Sequence, residues 1–162
     1  MVIRKYITLL LLVFSISGCN NDSSKSNEDN FEVNNDFEVN LETKDKFDQL
    51  LTSFAQGENI TIILHIKNIS STTKNLNFNS SKQYDFVVKN SENELFWRWS
   101  SGQLFTDVLT SYDLAPNEER IITYTWNQMT SDTGTMLPVG SYVLETDDIG
   151  IDVVATQKLT IL

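Results

Sequence analysis

YDFVVKNSENELFWRWS, residues Tyr84–Ser100, decides the fold. Two runs of alternating apolar and polar residues flank Asn90-Ser91-Glu92-Asn93, whose side chains favour turns. A period of two means that alternate residues share a face, so the stretch predicts a β-hairpin. Tyr84, Phe86 and Val88 stand against Asp85, Val87 and Lys89 on its first strand. On the second, Leu95, Trp97 and Trp99 stand against Phe96, Arg98 and Ser100. Two tryptophans astride an arginine form either a heavy core face or an exposed aromatic site for a ligand. A two-sheet sandwich without a disulfide needs large apolar side chains between its sheets. The core placement is therefore favoured, with Trp97 or Trp99 meeting Trp126, Tyr84 and Phe86.

The same alternation runs outward in both directions. Phe37, Val39 and Leu41 open a first strand, and Ile60, Ile62, Leu64 and Ile66 oppose Thr61, Ile63, His65 and Lys67 in the next. LNFN (76–79) is a short strand after the turn cluster ISSTTKN (69–75). LAPNEE (114–119) turns the chain into RIITYTWN, where Ile122, Tyr124 and Trp126 share a side. SYVLET (141–146), DDIGIDVV (147–154) and QKLTIL (157–162) read as further strands. Helical turns are weighed only near Asp45–Phe54 and Gln103–Leu109. Strands at this spacing, rich in β-branched and aromatic residues, predict an all-β sandwich.

Charge narrows the partners. The 162 residues carry a formal net charge of -10, and the pI is about 4.4. Nucleic-acid binding needs clustered lysine and arginine, and the chain has no such cluster. Nucleic acid is not expected as a partner.

The first residues are expected to lie outside the core. MVIRKYITLLLLVFSISGC has Arg4 and Lys5, an apolar run from Tyr6 to Phe14, and small residues before a cysteine. That run is too short for an ordinary membrane span and fits a secretory signal peptide. Ile16-Ser17-Gly18-Cys19 resembles the lipobox of bacterial lipoproteins. The resemblance implies cleavage after residue 18, with a diacylglyceryl group on Cys19 as the new first residue. A plain signal peptide followed by an incidental cysteine is the competing reading. Cys19 is the sole cysteine, so no intrachain disulfide forms. Residues 1–18 are then a leader and 19–36 a disordered tether, polar from Asn20 to Asn30, with a reach of about 20–25 Å. The folded domain spans 37–162. The expected location is the cell membrane, lipid-anchored and facing away from the cytoplasm. Phe31-Glu32-Val33-Asn34 and Phe37-Glu38-Val39-Asn40 repeat a tetrapeptide and read as a local duplication.

Catalytic signatures are sparse. His65, the single histidine, sits mid-strand beside Thr61, Ile63 and Lys67, a poor place for a catalytic triad. Zinc needs three or four ligands of the His, Cys and acidic types. Asp147, Asp148 and Asp152 lack the twelve-residue calcium-loop spacing and read as a solvated turn. Paired carboxylates for glycoside hydrolysis stay open, because their separation is spatial. The sequons at Asn59 and Asn68 carry little weight beside a bacterial lipobox. No catalytic residue, metal or cofactor is assigned, and an enzyme is not expected.

Four segments, in order, carry a family resemblance. They are Ser81-Lys82-Gln83-Tyr84-Asp85-Phe86, Phe96-Trp97-Arg98-Trp99-Ser100, Leu114-Ala115-Pro116-Asn117-Glu118 and Leu137-Pro138-Val139-Gly140-Ser141-Tyr142. Together they resemble the BsuPI-type intracellular proteinase inhibitor domain over roughly Phe37 to Leu162, with Asn117 where the family has glycine. The resemblance implies an immunoglobulin-like antiparallel β-sandwich that inhibits a serine proteinase of the subtilisin type. It implies no reactive-site residue, and a lipobox is a departure from an intracellular inhibitor. An envelope lipoprotein that binds another protein without inhibiting it is the competing function. For an inhibitor, the expected contact loop is Asn127–Gly140, the longest turn-rich segment between strong strands. It would offer Met129, Met136, Leu137 and Pro138. The next candidate is the face of Phe96 and Arg98.

Overall fold

A computed structural model describes residues 31–162. The expected leader, Cys19 and the tether up to residue 30 lie outside the described residues. Eleven strands are formed: β1 (Phe31–Val33), β2 (Phe37–Lys44), β3 (Ser53–Phe54), β4 (Ile60–Asn68), β5 (Lys74–Phe78), β6 (Asp85–Lys89), β7 (Leu95–Arg98), β8 (Thr110–Leu114), β9 (Glu119–Trp126), β10 (Gly140–Asp147) and β11 (Thr156–Ile161). One sheet has the order β1-β2-β4-β9, and the facing sheet β3-β11-β10-β6-β7. β5 and β8 form a separate ribbon. This is the expected all-β, immunoglobulin-like sandwich, antiparallel throughout except where β3 runs parallel to β11.

Alternation explains the sheets. Ile60, Ile62, Leu64 and Ile66 of β4 are fully buried, while Thr61, Ile63, His65 and Lys67 are half-buried on the outer side. β2 matches it residue for residue, burying Phe37, Val39 and Leu41. The predicted hairpin exists: β6 pairs antiparallel with β7, with a bulge between Val88 and Lys89. That irregularity separates Leu95 from Trp97, which the simple alternation had placed on one face. Leu95 is exposed, whereas Trp97 is buried.

Three stretches differ from the sequence reading. The FEVN repeat is a hairpin, with Phe31 opposite Asn40 and Val33 opposite Glu38. Asn34 Oδ1 closes its turn by accepting from the backbone N–H groups of Asp36 and Phe37 at 2.9 and 2.7 Å. Pairing therefore begins at Phe31, inside the stretch expected as tether. TSYDL (110–114) is strand β8, because Leu114 finds a buried place although the other side chains stay partly or wholly exposed. DDIGIDVV is mostly a loop after β10, with Ile149 buried and Asp152 and Val154 exposed. Its Gly150 adopts a φ of +87°, and an added Cβ would lie 2.7 Å from the Phe78 ring. Only glycine suits that approach. Neither weighed helical turn forms: Gln103–Leu109 is irregular, and Asp45–Phe54 is loop except for β3.

The two tryptophans close a seam. β9 is the edge of one sheet and β7 the edge of the other. Trp97 of β7 stacks on Trp126 of β9 at 4.8 Å between ring centroids. Tyr124 lies 5.8 Å from Trp97 and 6.4 Å from Trp99, and Trp99 in turn lies 4.2 Å from Tyr84. Aromatic surface thus joins two edge strands that share no backbone pairing, which is why the hairpin is so heavy.

A buried carboxylate fastens the same hairpin. Asp85, at the start of β6, has no exposed surface. Its Oδ1 accepts from the N–H groups of Phe86 and Ser100 at 3.0 and 3.1 Å. Its Oδ2 accepts from Ser100 Oγ at 2.6 Å, Arg98 Nη1 at 2.8 Å and Lys82 Nζ at 3.2 Å. Arg98 also bonds Asp147, and Lys82 also pairs with Asp148. Burial pushes the Asp85 carboxyl up, but the bonds from Ser100, Arg98 and Lys82 together hold it below its ordinary value.

Truncating Trp126 to alanine removes half of the stack and should cost about 3–5 kcal/mol in urea denaturation. A loss near zero would contradict a shared aromatic core. Asp85→Asn should cost about 3 kcal/mol at neutral pH, because it strips a buried acceptor from two cations. Since the folded Asp85 carboxyl is more acidic than the unfolded one, its contribution is complete above the unfolded value, about 3.9. It fades as pH falls through the lower folded value. The stability gap between parent and variant should therefore narrow as pH drops from about 5 towards 2. A constant gap over that range would argue against this role.

Candidate functional site

The expected contact loop turns much of itself inward. Leu137 is fully buried, so in this conformation it offers no side chain to a partner. Met129 is half-buried and pairs through an isolated bridge with Met136, which is exposed. Pro138 is exposed, and its carbonyl accepts from the Tyr142 hydroxyl at 2.8 Å. Buried Gln128 donates to the carbonyls of Ala55 and Glu58 at 2.9 and 2.8 Å and accepts from the Gly57 N–H at 2.9 Å. Further along, the Ser131 N–H donates to the Phe96 carbonyl, and its Oγ accepts from the Arg98 N–H at 2.8 Å. The loop therefore satisfies the open edge of β7, the usual need of an edge strand. Its exposed tip is polar, Asp132–Thr135, where the Thr133 and Thr135 hydroxyls bond each other and that of buried Thr130.

The Phe96 and Arg98 face is also engaged. Phe96 is half-buried and meets Tyr142 edge-on at 5.4 Å. Arg98 holds both Asp85 and Asp147, so burial, which would lower its pKa, is outweighed and the guanidinium is held above its ordinary value. The Tyr84-Asp85-Phe86 and Trp97-Arg98-Trp99 stretches thus supply contacts that hold the hairpin, with Phe96 and Arg98 left partly exposed.

Other noted residues have partners as well. His65 lies 2.9 Å from Glu119 and 3.8 Å from Glu42 on the outer sheet face. Asp147 and Asp148 are spent on Arg98 and Lys82. Asn68 is buried: its Nδ2 donates to the carbonyls of Thr72 and Leu114, and its Oδ1 accepts from Ser70. Among the described residues, no group of three or more His, Cys, Asp or Glu is gathered around a point that could hold a metal ion.

The segment between β7 and β8 exposes more apolar surface than the expected loop, where Met136 and Val139 are the exposed apolar side chains. Leu104 is 100% exposed, Leu109 79% and Val108 57%. Its backbone is nevertheless well held. Gln103 donates from its N–H to the Ser100 carbonyl and from Nε2 to the Trp99 carbonyl at 2.6 Å. Half-buried Phe105 rests 5.8 Å from Trp99, at the end of the aromatic seam. The Thr106 carbonyl accepts from the Ser81 N–H, and the Thr106 N–H donates to Ser81 Oγ, both at 2.9 Å. Thr110 Oγ1 closes the base on the Ser80 carbonyl at 2.9 Å.

Arg120 stiffens that base from beneath. Its guanidinium lies over Tyr112 and Phe78, and Nη2 donates to Gln83 Oε1 at 2.7 Å. Buried Nη1 has no hydrogen-bond partner, and burial holds the group below its ordinary pKa. Burial likewise raises the neighbouring Tyr84 phenol. Sequence reasoning missed the 103–109 segment because GQLFTDVLT mixes apolar and polar residues in no fixed period. Its one signal, four large apolar residues with no face to hide on, is visible only in hindsight.

No curated protein matches the chain. Among solved structures, the C-terminal domain of wzt is 8% identical, with 85% of this chain and 80% of that one covered at a TM-score of 0.50. A CARDB domain from Pyrococcus furiosus is 15% identical, covering 81% and 93% at a TM-score of 0.39. A β-glucosidase from Erythrobacter marinus is 10% identical at a TM-score of 0.44, with 78% of this chain covered but only 15% of that one. The wzt domain shares the fold, and nothing about activity follows at such identity. The family model for the intracellular proteinase inhibitor BsuPI matches residues 47–147, which run from the loop before β3 to the end of β10 and take in the hairpin, the Asp85 cluster and the 103–109 segment. With more than half of its length matched, the chain belongs to the BsuPI family of intracellular proteinase inhibitors.

Proposed function

We propose that this protein is a lipid-anchored inhibitor of a serine proteinase of the subtilisin type, held at the outer face of the cell membrane through Cys19. The family match over residues 47–147 carries the reading of an inhibitor. A rigid sandwich with fastened loops suits that task, since an inhibitor gains affinity when its contact segment loses little freedom on binding. The anchor rests on Ile16-Ser17-Gly18-Cys19 and the apolar run before it. Two acyl chains give stable attachment, at roughly 0.8 kcal/mol per buried methylene. A polar stretch from Asn20 to Asn30 would then carry the domain clear of the lipid surface.

Subtilisin mixed with the purified protein should lose activity towards a chromogenic peptide in a dose-dependent way. A protein that binds envelope components without slowing any serine proteinase would point to the non-inhibitory reading. For the anchor, Cys19→Ala should move the protein from the membrane fraction to the soluble fraction. An alanine variant that stays with membranes at the parental level would rule out the lipid.

A further inference from the structure

We infer that the segment Gln103–Leu109, with Leu104 at its apex, is the part of this protein that enters the active-site cleft of the proteinase. This rests on the inhibitor reading and replaces Asn127–Gly140 as the contact loop. Four observations carry it.

Leu104 is fully exposed, with Leu109 and Val108 also exposed in the same short segment, and exposed apolar side chains gathered in one place mark an interaction site. The residues beside it are pinned: Gln103 by the Trp99 and Ser100 carbonyls, Phe105 by the Trp99 ring, and Thr106 by two bonds to Ser81. A projecting side chain on a held backbone is what a proteinase cleft requires of an inhibitor, because a floppy segment would lose too much entropy on binding. Stiffening comes from the fold, through the aromatic seam and the Arg120–Gln83 contact, so no disulfide is needed. Both this segment and Asn127–Gly140 lie within the residues that match the inhibitor family, but Leu137 of the other loop is buried.

The occupant follows from the chemistry. Leu104 fits a deep apolar primary pocket, with Val108 and Leu109 left to pack on the apolar rim. A pocket built around a carboxylate, which selects lysine or arginine, would leave its charge unpaired against leucine.

The test exchanges specificity instead of merely removing a contact. Parent, Leu104→Phe and Leu104→Arg full chains are compared on subtilisin and trypsin, with circular dichroism confirming that each is folded. Leu104→Phe should inhibit subtilisin about as well as the parent. Leu104→Arg should inhibit it at least about tenfold more weakly, as expected of a central contact residue, and should gain inhibition of trypsin. Loss of structure would not produce that gain. If the parent inhibits subtilisin and Leu104→Arg does so equally well, the segment is not the contact and the inhibitor reading survives. If the parent inhibits no serine proteinase, the inhibitor reading falls and this assignment falls with it.

Discussion

The burial of one carboxylate organises this protein. Asp85 sits at the start of β6 with no exposed surface, and it answers the cost of burial with five donors from three segments. A buried charge on that scale tolerates no partial arrangement, since losing one partner leaves the rest desolvated. Lys82, Arg98 and Ser100 must therefore arrive together, which sets where the chain enters β6 and where it leaves β7. Asp147 and Asp148 draw the end of β10 to the same place by sharing those cations. The 103–109 segment starts from the same cluster, since the Gln103 N–H donates to the carbonyl of Ser100, which itself bonds Asp85.

Hydrophobic closure is solved at the opposite scale, by surface instead of by a point contact. Two sheets of four and five strands leave open seams where their edges meet, and β7 and β9 have no hydrogen bonds to join them. Trp97, Trp99, Tyr124 and Trp126 fill the gap with rings in contact. The remaining open side of β7 is taken by Ser131 of the loop after β9. That assignment explains why the longest loop is not the freest one: it is occupied in protecting an edge. The shorter connection after β7 is held through Gln103, Phe105 and Thr106, yet leaves Leu104, Val108 and Leu109 exposed.

The division of labour is consistent with the inhibitor family to which the chain belongs. The charged side chains of Asp85 and Arg98 are consumed in holding the hairpin, and the most exposed apolar side chain, Leu104, lies on a connection. Under the proposed anchoring, the domain would meet its proteinase close to the membrane, where a tether of fixed length limits the search volume.

Alternation of apolar and polar residues was enough to locate β2, β4, β6, β7, β9, β10 and β11, because a half-buried strand must show it whatever its neighbours are. The leader and the Cys19 motif are local patterns that the sequence displays by itself, and they lie outside the described residues. Other features depend on distant partners. TSYDL became a strand only because β5 lies beside it, and DDIGIDVV stayed a loop because Gly150 meets Phe78. The FEVN repeat became a hairpin because its second copy also pairs with β4. The site divided in the same way. Leu104 and Leu137 are the same residue type in segments that look alike, yet one is fully exposed and the other fully buried. Nothing within either segment distinguishes them, since exposure is decided by what packs above a side chain, and that comes from elsewhere in the chain.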